Sequence, residues 1–292
     1  MNPTPAPQKA GVHFFTFHVL ENHMSRRDFY LRKYSTVFPT GIHPALVDPP
    51  LWVQCAIGKR IHEGSMTVVS AVCPDYERKN DAFTYRNLGE GVPFIANQHL
   101  EVLQHVAQRL AEHNIACQRV MTLADTEFDL PLVVQHMAGG NREEFLRRCQ
   151  ASCEAIMQTA HERNIPLESC SRFTATFADW FANYHRALAA MHEQTVSSSS
   201  VQQDLRFNSA NRVSLYCAMT GSLVSDAYCQ DMVLRQWAQY AAWGESASTV
   251  FGTDMVMLNH TTPNLTRVNE PSFRAGRERI PILQLRTTTM PG

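Results

Sequence analysis

Apolar positions along the chain change period several times, and these changes divide it into elements. Residues 26–38, RRDFYLRKYSTVF, place Phe29, Tyr30, Tyr34, Val37 and Phe38 at helical spacing. That predicts an amphipathic helix. Pro39 to Pro50 holds four prolines and reads as loop. Met66–Val72, MTVVSAV, is a short β-branched run, which predicts a buried strand. Cys73-Pro74-Asp75 breaks it. Period 3.6 returns with Leu100, Leu103, Val106, Ala107 and Leu110, with Glu101, Gln104, Gln108 and Arg109 opposite. The pattern gives a helix from about Pro93 to His113. Arg119–Leu123, RVMTL, reads as a second strand, closed by Ala124-Asp125-Thr126-Glu127.

Strand, loop, helix and strand in this order make a βαβ unit of a parallel sheet, with a right-handed crossover. Downstream, a helix is expected over 142–163, with Asn141 and Glu144 as a capping box variant. A short strand is expected over 166–170. Residues 172–193 are helical in pattern, and Thr195 to Gln203, TVSSSSVQQ, reads as a hinge or exposed loop. Helical patterns return over 205–219 and 226–243, and strands are expected over 249–258 and 280–286. The alternation gives an α/β fold class: Rossmann-like, with a mostly parallel sheet flanked by helices and a helical region in the second half. The expected organisation is a disordered leader over 1–10 and a single α/β domain over 11–292. A helical subdomain over about 140–245 divides off at Ser197–Ser200.

Composition narrows the class. The 292 residues are 44% hydrophobic and 18% charged, enough apolar side chains for a sizeable core. Lys+Arg is 26 against Asp+Glu 27, a formal net charge of -1, which argues against a general nucleic-acid coat. No apolar run approaches the ~20 residues of a membrane helix, and a cytoplasmic setting is expected. None of the eight cysteines forms C-x-x-C, so ribbon-type zinc sites lack their usual signature. The only lysines are Lys9, Lys33, Lys59 and Lys79. There is no P-loop, no H-E-x-x-H and no G-x-S-x-G.

Candidate chemistry gathers at two strand ends, where open parallel sheets bind ligands. Asp75 and Lys79 follow the first strand, and Asp125 and Glu127 follow the second. If the strands are neighbours, these groups face one crevice. Paired carboxylates there can orient an amine or hold Mg²⁺. Gly89 and Gly91 precede the helix, where backbone N–H groups can reach an anion, and His99 lies one turn in. Gln236 and Tyr240 share a helical face and can hydrogen-bond a substrate. Arg274 and Arg277 sit in the Arg-rich segment 267–286, suited to a phosphate or an RNA backbone. No metal site and no cofactor is assigned.

Gly91-Val92-Pro93, His99-Leu100 and Leu123-Ala124-Asp125, in a strand–turn–helix–strand layout, resemble the class I aminoacyl-tRNA synthetase catalytic domain. Cyclodipeptide synthases are similar to that fold and lack its ATP-binding motifs. The synthetase His-x-Gly-His reads here as His99-Leu100-Glu101-Val102, and no lysine follows Lys79, so ATP-driven activation is not implied. A cyclodipeptide synthase uses a serine nucleophile after its first strand, and here the strand end is Cys73. A looser likeness is to isonitrile synthases, whose lysine-bearing loop only Lys79 can match. The resemblance implies a biosynthetic transferase or synthase with an amino-acid-like or aminoacyl substrate. Asp125 and Glu127 would orient the amine, and Asp75 or Lys79 would handle protons. Its partners would be a small molecule and an aminoacyl-tRNA or RNA. Two other readings stay open: a nucleotide- or RNA-binding module using 267–286, and a metal-dependent hydrolase using Asp75, Asp125, Glu127 and Asp129.

Overall fold

The computed structural model describes residues 24–72, 76–79, 82–85, 91–125, 134–135, 138–252, 254–260, 274–275 and 278–286. Among them a five-stranded sheet has the order β5-β4-β1-β6-β9, with every pair parallel. Its strands are β1 Ser65–Val72, β4 Ala116–Leu123, β5 Ser169–Arg172, β6 Met255–His260 and β9 Ile282–Leu285. β2 Tyr76–Lys79 and β3 Ala82–Tyr85 form a separate antiparallel hairpin, as do β7 Arg274–Ala275 and β8 Glu278–Arg279.

Both faces of the sheet are covered, so its strands read as apolar runs rather than alternating ones. One face buries Val68, Val72, Met121, Leu123, Leu258 and Leu283. It packs against α1 Arg26–Val37, α2 Leu51–Glu63, α3 Phe94–Glu112 and α4 Arg142–Glu162. The opposite face buries Val69, Met257 and Ile282. It meets α5 Phe173–Thr176, α6 Trp180–Ser197 and α8 Asp226–Phe251. A smaller apolar cluster of Leu205, Val233, Leu234 and Trp237 holds α7 Ser199–Thr220 against α8.

Local chemistry sets the element ends. Gly64 closes α2 at φ +82° and turns the chain into β1, a left-handed conformation that a side chain disfavours. Gly58 lets α2 approach α1, because a Cβ there would meet the Tyr30 carbonyl. Asn141 caps α4 by accepting a hydrogen bond from the Glu144 N–H at 3.1 Å. The Glu144 carboxylate does not complete the expected box. It pairs with Arg147 and Arg148 at 2.7 Å each, and the Arg147 and Arg148 hydrogen bonds hold it down at about 2.

Three expectations need correction. The Ser-rich segment 195–203 is helical except for Ser198, whose hydroxyl caps α7. The polar stretch after β1 contains the hairpin β2–β3. Residues 249–251 still belong to α8, which runs eight residues past 243 before β6 starts at Met255.

Candidate functional site

Strand order locates the site. From β1 the chain moves outward through α3 to β4 and through α4 to β5. It then returns through α6, α7 and α8 to β6, on the other side of β1. The strand order therefore reverses at β1/β6. In open parallel sheets the ligand crevice lies outside the carboxyl ends at such a point. The strands β1 and β4, whose adjacency the sequence left open, are neighbours, with Val72 beside Leu123.

The register brings the last residues of the strands into two rows. On the first face the row is Cys170, Met121, Ser70, Leu258 and Leu283. Ser70 is the hydroxyl in an otherwise apolar or thiol-bearing row, and it is fully buried. Its Oγ is hydrogen-bonded to Nδ1 of the equally buried His99, on α3. A buried hydroxyl or imidazole costs on the order of 1–3 kcal/mol when left unpaired, so each stabilises the other's burial. A serine hydroxyl on an imidazole nitrogen is also the geometry of an activated nucleophile.

On the opposite face the row is Ser171, Thr122, Ala71, Asn259 and Gln284. The row two residues earlier is mostly apolar, with Val120, Val69, Met257 and Ile282. Helix α8 lies over this face. Its Trp243 indole N–H donates to the Thr122 hydroxyl at 3.3 Å. Gln236, Gln239 and Tyr240 precede Trp243 by seven, four and three residues and share its stripe. A short link joins α8 to β6, so the helix runs antiparallel to the strands. At 1.5 Å per residue, Tyr240 lies about 4.5 Å and Gln236 about 10 Å beyond Trp243, toward the carboxyl ends. Gln236 is buried and Tyr240 half-buried.

Asp125 follows β4 and is fully buried. One carboxylate oxygen accepts the Thr174 N–H at 3.0 Å. The other accepts the Thr174 hydroxyl and an Arg172 N–H, the latter at 3.2 Å. Arg172 ends β5 and also donates to Gln150 of α4 at 3.3 Å. Burial pushes the Asp125 carboxyl above its ordinary range, and the Thr174 hydrogen bonds and Arg172 charge pull it back down in part. The carboxylate therefore ties β5 and α5 to the end of β4.

The remaining predicted residues are placed less closely together. Gly91 is exposed at φ +130°, three residues before α3 begins. Lys79 ends β2, opposite Ala82 in the hairpin. Arg274 opens β7, opposite Arg279. Asp75, Glu127, Asp129, Gly89 and Arg277 lie outside the described residues. Among the described residues no three His, Cys, Asp or Glu side chains form a metal-binding group. Ser70, Thr122, Arg172, Thr174 and Asn259 are polar groups at the strand ends that the sequence pattern does not single out. Ser70 and Thr122 did leave a signal, since each interrupts an apolar strand near its carboxyl end.

The fold and site together define a Rossmann-like α/β protein with its polar groups at the carboxyl ends of a parallel sheet. No family model and no curated protein matches the sequence. Among solved structures the chain is similar to a cyclodipeptide synthase from Bacillus thermoamylovorans, with a TM-score of 0.46 and 8% identity over 84% of this chain and 96% of that one. It is also similar to the CDPS from Staphylococcus haemolyticus, with a TM-score of 0.42 and 12% identity over 78% and 93%. The likeness is one of overall shape, and no residue role follows from it. No helix among the described residues is long and apolar enough to cross a membrane.

Proposed function

We propose that this chain is a biosynthetic transferase or synthase acting on an amino-acid-like or aminoacyl substrate at the carboxyl ends of its sheet. The observation that carries this reading is the buried Ser70–His99 hydrogen bond on β1, the strand at which the order reverses. Ser70 Oγ attacks the acyl carbonyl while its proton passes to His99 Nδ1. The bond to the leaving oxygen breaks, and that oxygen takes the proton from His99. An amine then attacks the Ser70 ester, the new amide forms, and Ser70 recovers its proton through His99. Asp125 acts as a positioning residue: it holds Arg172 and Thr174, and with them the end of β5, against the end of β4. Carriage of the acyl group on an RNA is compatible with this chemistry, because the leaving group is then a ribose hydroxyl.

The test compares metabolites by mass spectrometry in cells making equal soluble amounts of wild type or Ser70→Ala. A new product is expected from the wild type, falling by about 10²–10⁴-fold in the variant, the range for a lost nucleophile–base partnership. Undiminished product from Ser70→Ala would sink the assignment.

A further inference from the structure

We infer that the loop between α1 and α2 is a pH-sensitive latch on one edge of the sheet. It seats on α3 and β9 while His105 is neutral, and it lifts when His105 takes up a proton. The device stands apart from the chemistry proposed for Ser70.

The loop, residues 39–50, ties together elements far apart in sequence. Val47 N–H donates to the Gln284 carbonyl at 2.9 Å, and Arg286 N–H donates to the Ala45 carbonyl at 2.7 Å. Leu46 bridges Leu285 in antiparallel fashion. These contacts give the outermost strand β9 a second partner besides β6. The loop also reaches α3. Ile42, Ala45 and Leu46 pack on the core, and the His43 ring lies 5.3 Å from the His105 ring, centroid to centroid. His43 Nδ1 accepts the Ala45 N–H at 3.1 Å. The residue that meets His105 therefore also shapes the turn that presents Ala45, Leu46 and Val47 to β9.

The surroundings of His105 favour a neutral ring. It is half-buried, and its Nε2 is buried with no hydrogen-bond partner among the described residues. A neutral imidazole leaves one neutral polar atom unpaired there, whereas an imidazolium puts a charged N–H where nothing accepts it. The titratable and charged groups that act on the ring are His43 from the loop and Arg109 and Glu112 from its own helix. Arg109 is held in place by the Val37 carbonyl at 3.1 Å and the Glu112 carboxylate at 2.5 Å. Asp48, the loop's own carboxylate, acts on Tyr34 of α1. Burial above all, then His43 and Arg109, hold His105 below the ordinary histidine range, and Glu112 offsets them in part.

Lifting the loop admits water to the ring and takes His43 away from it. The open form therefore binds the proton more tightly than the closed form. By linkage the latch is firmest above the ordinary histidine value of about 6.5 and weakens as pH falls below it. Opening leaves β9 paired with β6 alone, two strands from β1.

The test is amide exchange of the full chain followed by NMR at about pH 7.5 and about pH 5.5, one unit either side of that value. Each rate is compared with the intrinsic rate at the same pH. Protection of the Val47 and Arg286 amides should fall about tenfold at the lower pH, the linkage of one proton over one pH unit. Protection in β1 should change less. His105→Phe, which does not titrate, should keep the protection seen at the higher pH and abolish the fall. His105→Gln, neutral at both pH values, decides the matter if His105→Phe does not fold. Constant protection of Val47 and Arg286 in wild type, an equal fall in β1, or a fall that persists in either folded variant would overturn the inference.

Discussion

Asp125 shows how a single carboxylate can be both expensive and useful. It is fully buried, which favours the neutral acid. Thr174 and Arg172 favour the charged form, but they do not cancel the burial effect. Its pKa in the folded chain therefore stands above that of the unfolded chain. By linkage, the stability it contributes is fully present below the ordinary carboxylate value of about 3.9 and is lost as pH rises through the raised value. Asn has nearly the same shape and stays neutral throughout. The urea midpoint of wild type minus that of Asp125→Asn should fall as pH rises above the ordinary carboxylate value of about 3.9. A difference that is constant, or that grows with pH, would contradict the burial account. The residue was visible in the sequence because it follows an apolar strand. Its partners were not: Arg172 and Thr174 stand 47 and 49 residues away, and only the pairing of β5 with β4 brings them together. Ser70 was hidden for another reason. Inside a β-branched run a serine reads as a tolerated small residue, and the imidazole that gives it meaning lies across the sheet–helix interface.

At the scale of elements, periodicity predicted best where an element buries one clear stripe. The helix expected from about Pro93 to His113 is α3, Phe94–Glu112, and the one expected over 142–163 is α4, Arg142–Glu162. The Ser-rich segment failed because composition was read in place of position. Serine is a poor interior helix residue but a strong N-cap, since its hydroxyl accepts an otherwise unpaired first-turn N–H. Ser198 does this for α7, and one non-helical residue then suffices between two long helices. The hairpin β2–β3 escaped notice because its strands are short and polar enough to resemble a loop. Asn141 offers a direct test of cap energetics. Its side chain accepts from Glu144 N–H, while the Glu144 carboxylate is turned to Arg147 and Arg148. Asn141→Ala should therefore lower the unfolding free energy by about 1 kcal/mol in urea titrations. A loss near zero would mean that water serves the first turn of α4 as well as Asn141 does.

Across the whole molecule, stability should be graded from the centre of the sheet to its edges, and the site spans that gradient. β1 has a parallel partner on each side and apolar cover on both faces. β5 and β9 are outermost, with four residues each. β9 gains extra pairing from the loop before α2, where Val47 N–H donates to the Gln284 carbonyl and Arg286 N–H donates to the Ala45 carbonyl. Amide exchange follows the cheapest opening available to each segment. The amides of β1 should exchange slowest, at the rate set by global unfolding, with β9 intermediate and β5 fastest of the five strands. Hydrogen exchange read by mass spectrometry or NMR decides this, and β1 amides exchanging as fast as those of β5 would refute the ordering. The gradient bears on chemistry as well as stability. Ser70 sits on the strand expected to open last, so the hydroxyl proposed to react keeps its geometry. Arg172 and Thr174 sit on and just after the strand expected to open first, held in place by Asp125 from β4. Loosening that contact, as Asp125→Asn would, should raise exchange in 169–174 and leave β1 unchanged. That pattern would confine the carboxylate's influence to the mobile margin of the site. Faster exchange in β1 as well would show that Asp125 supports the centre of the sheet.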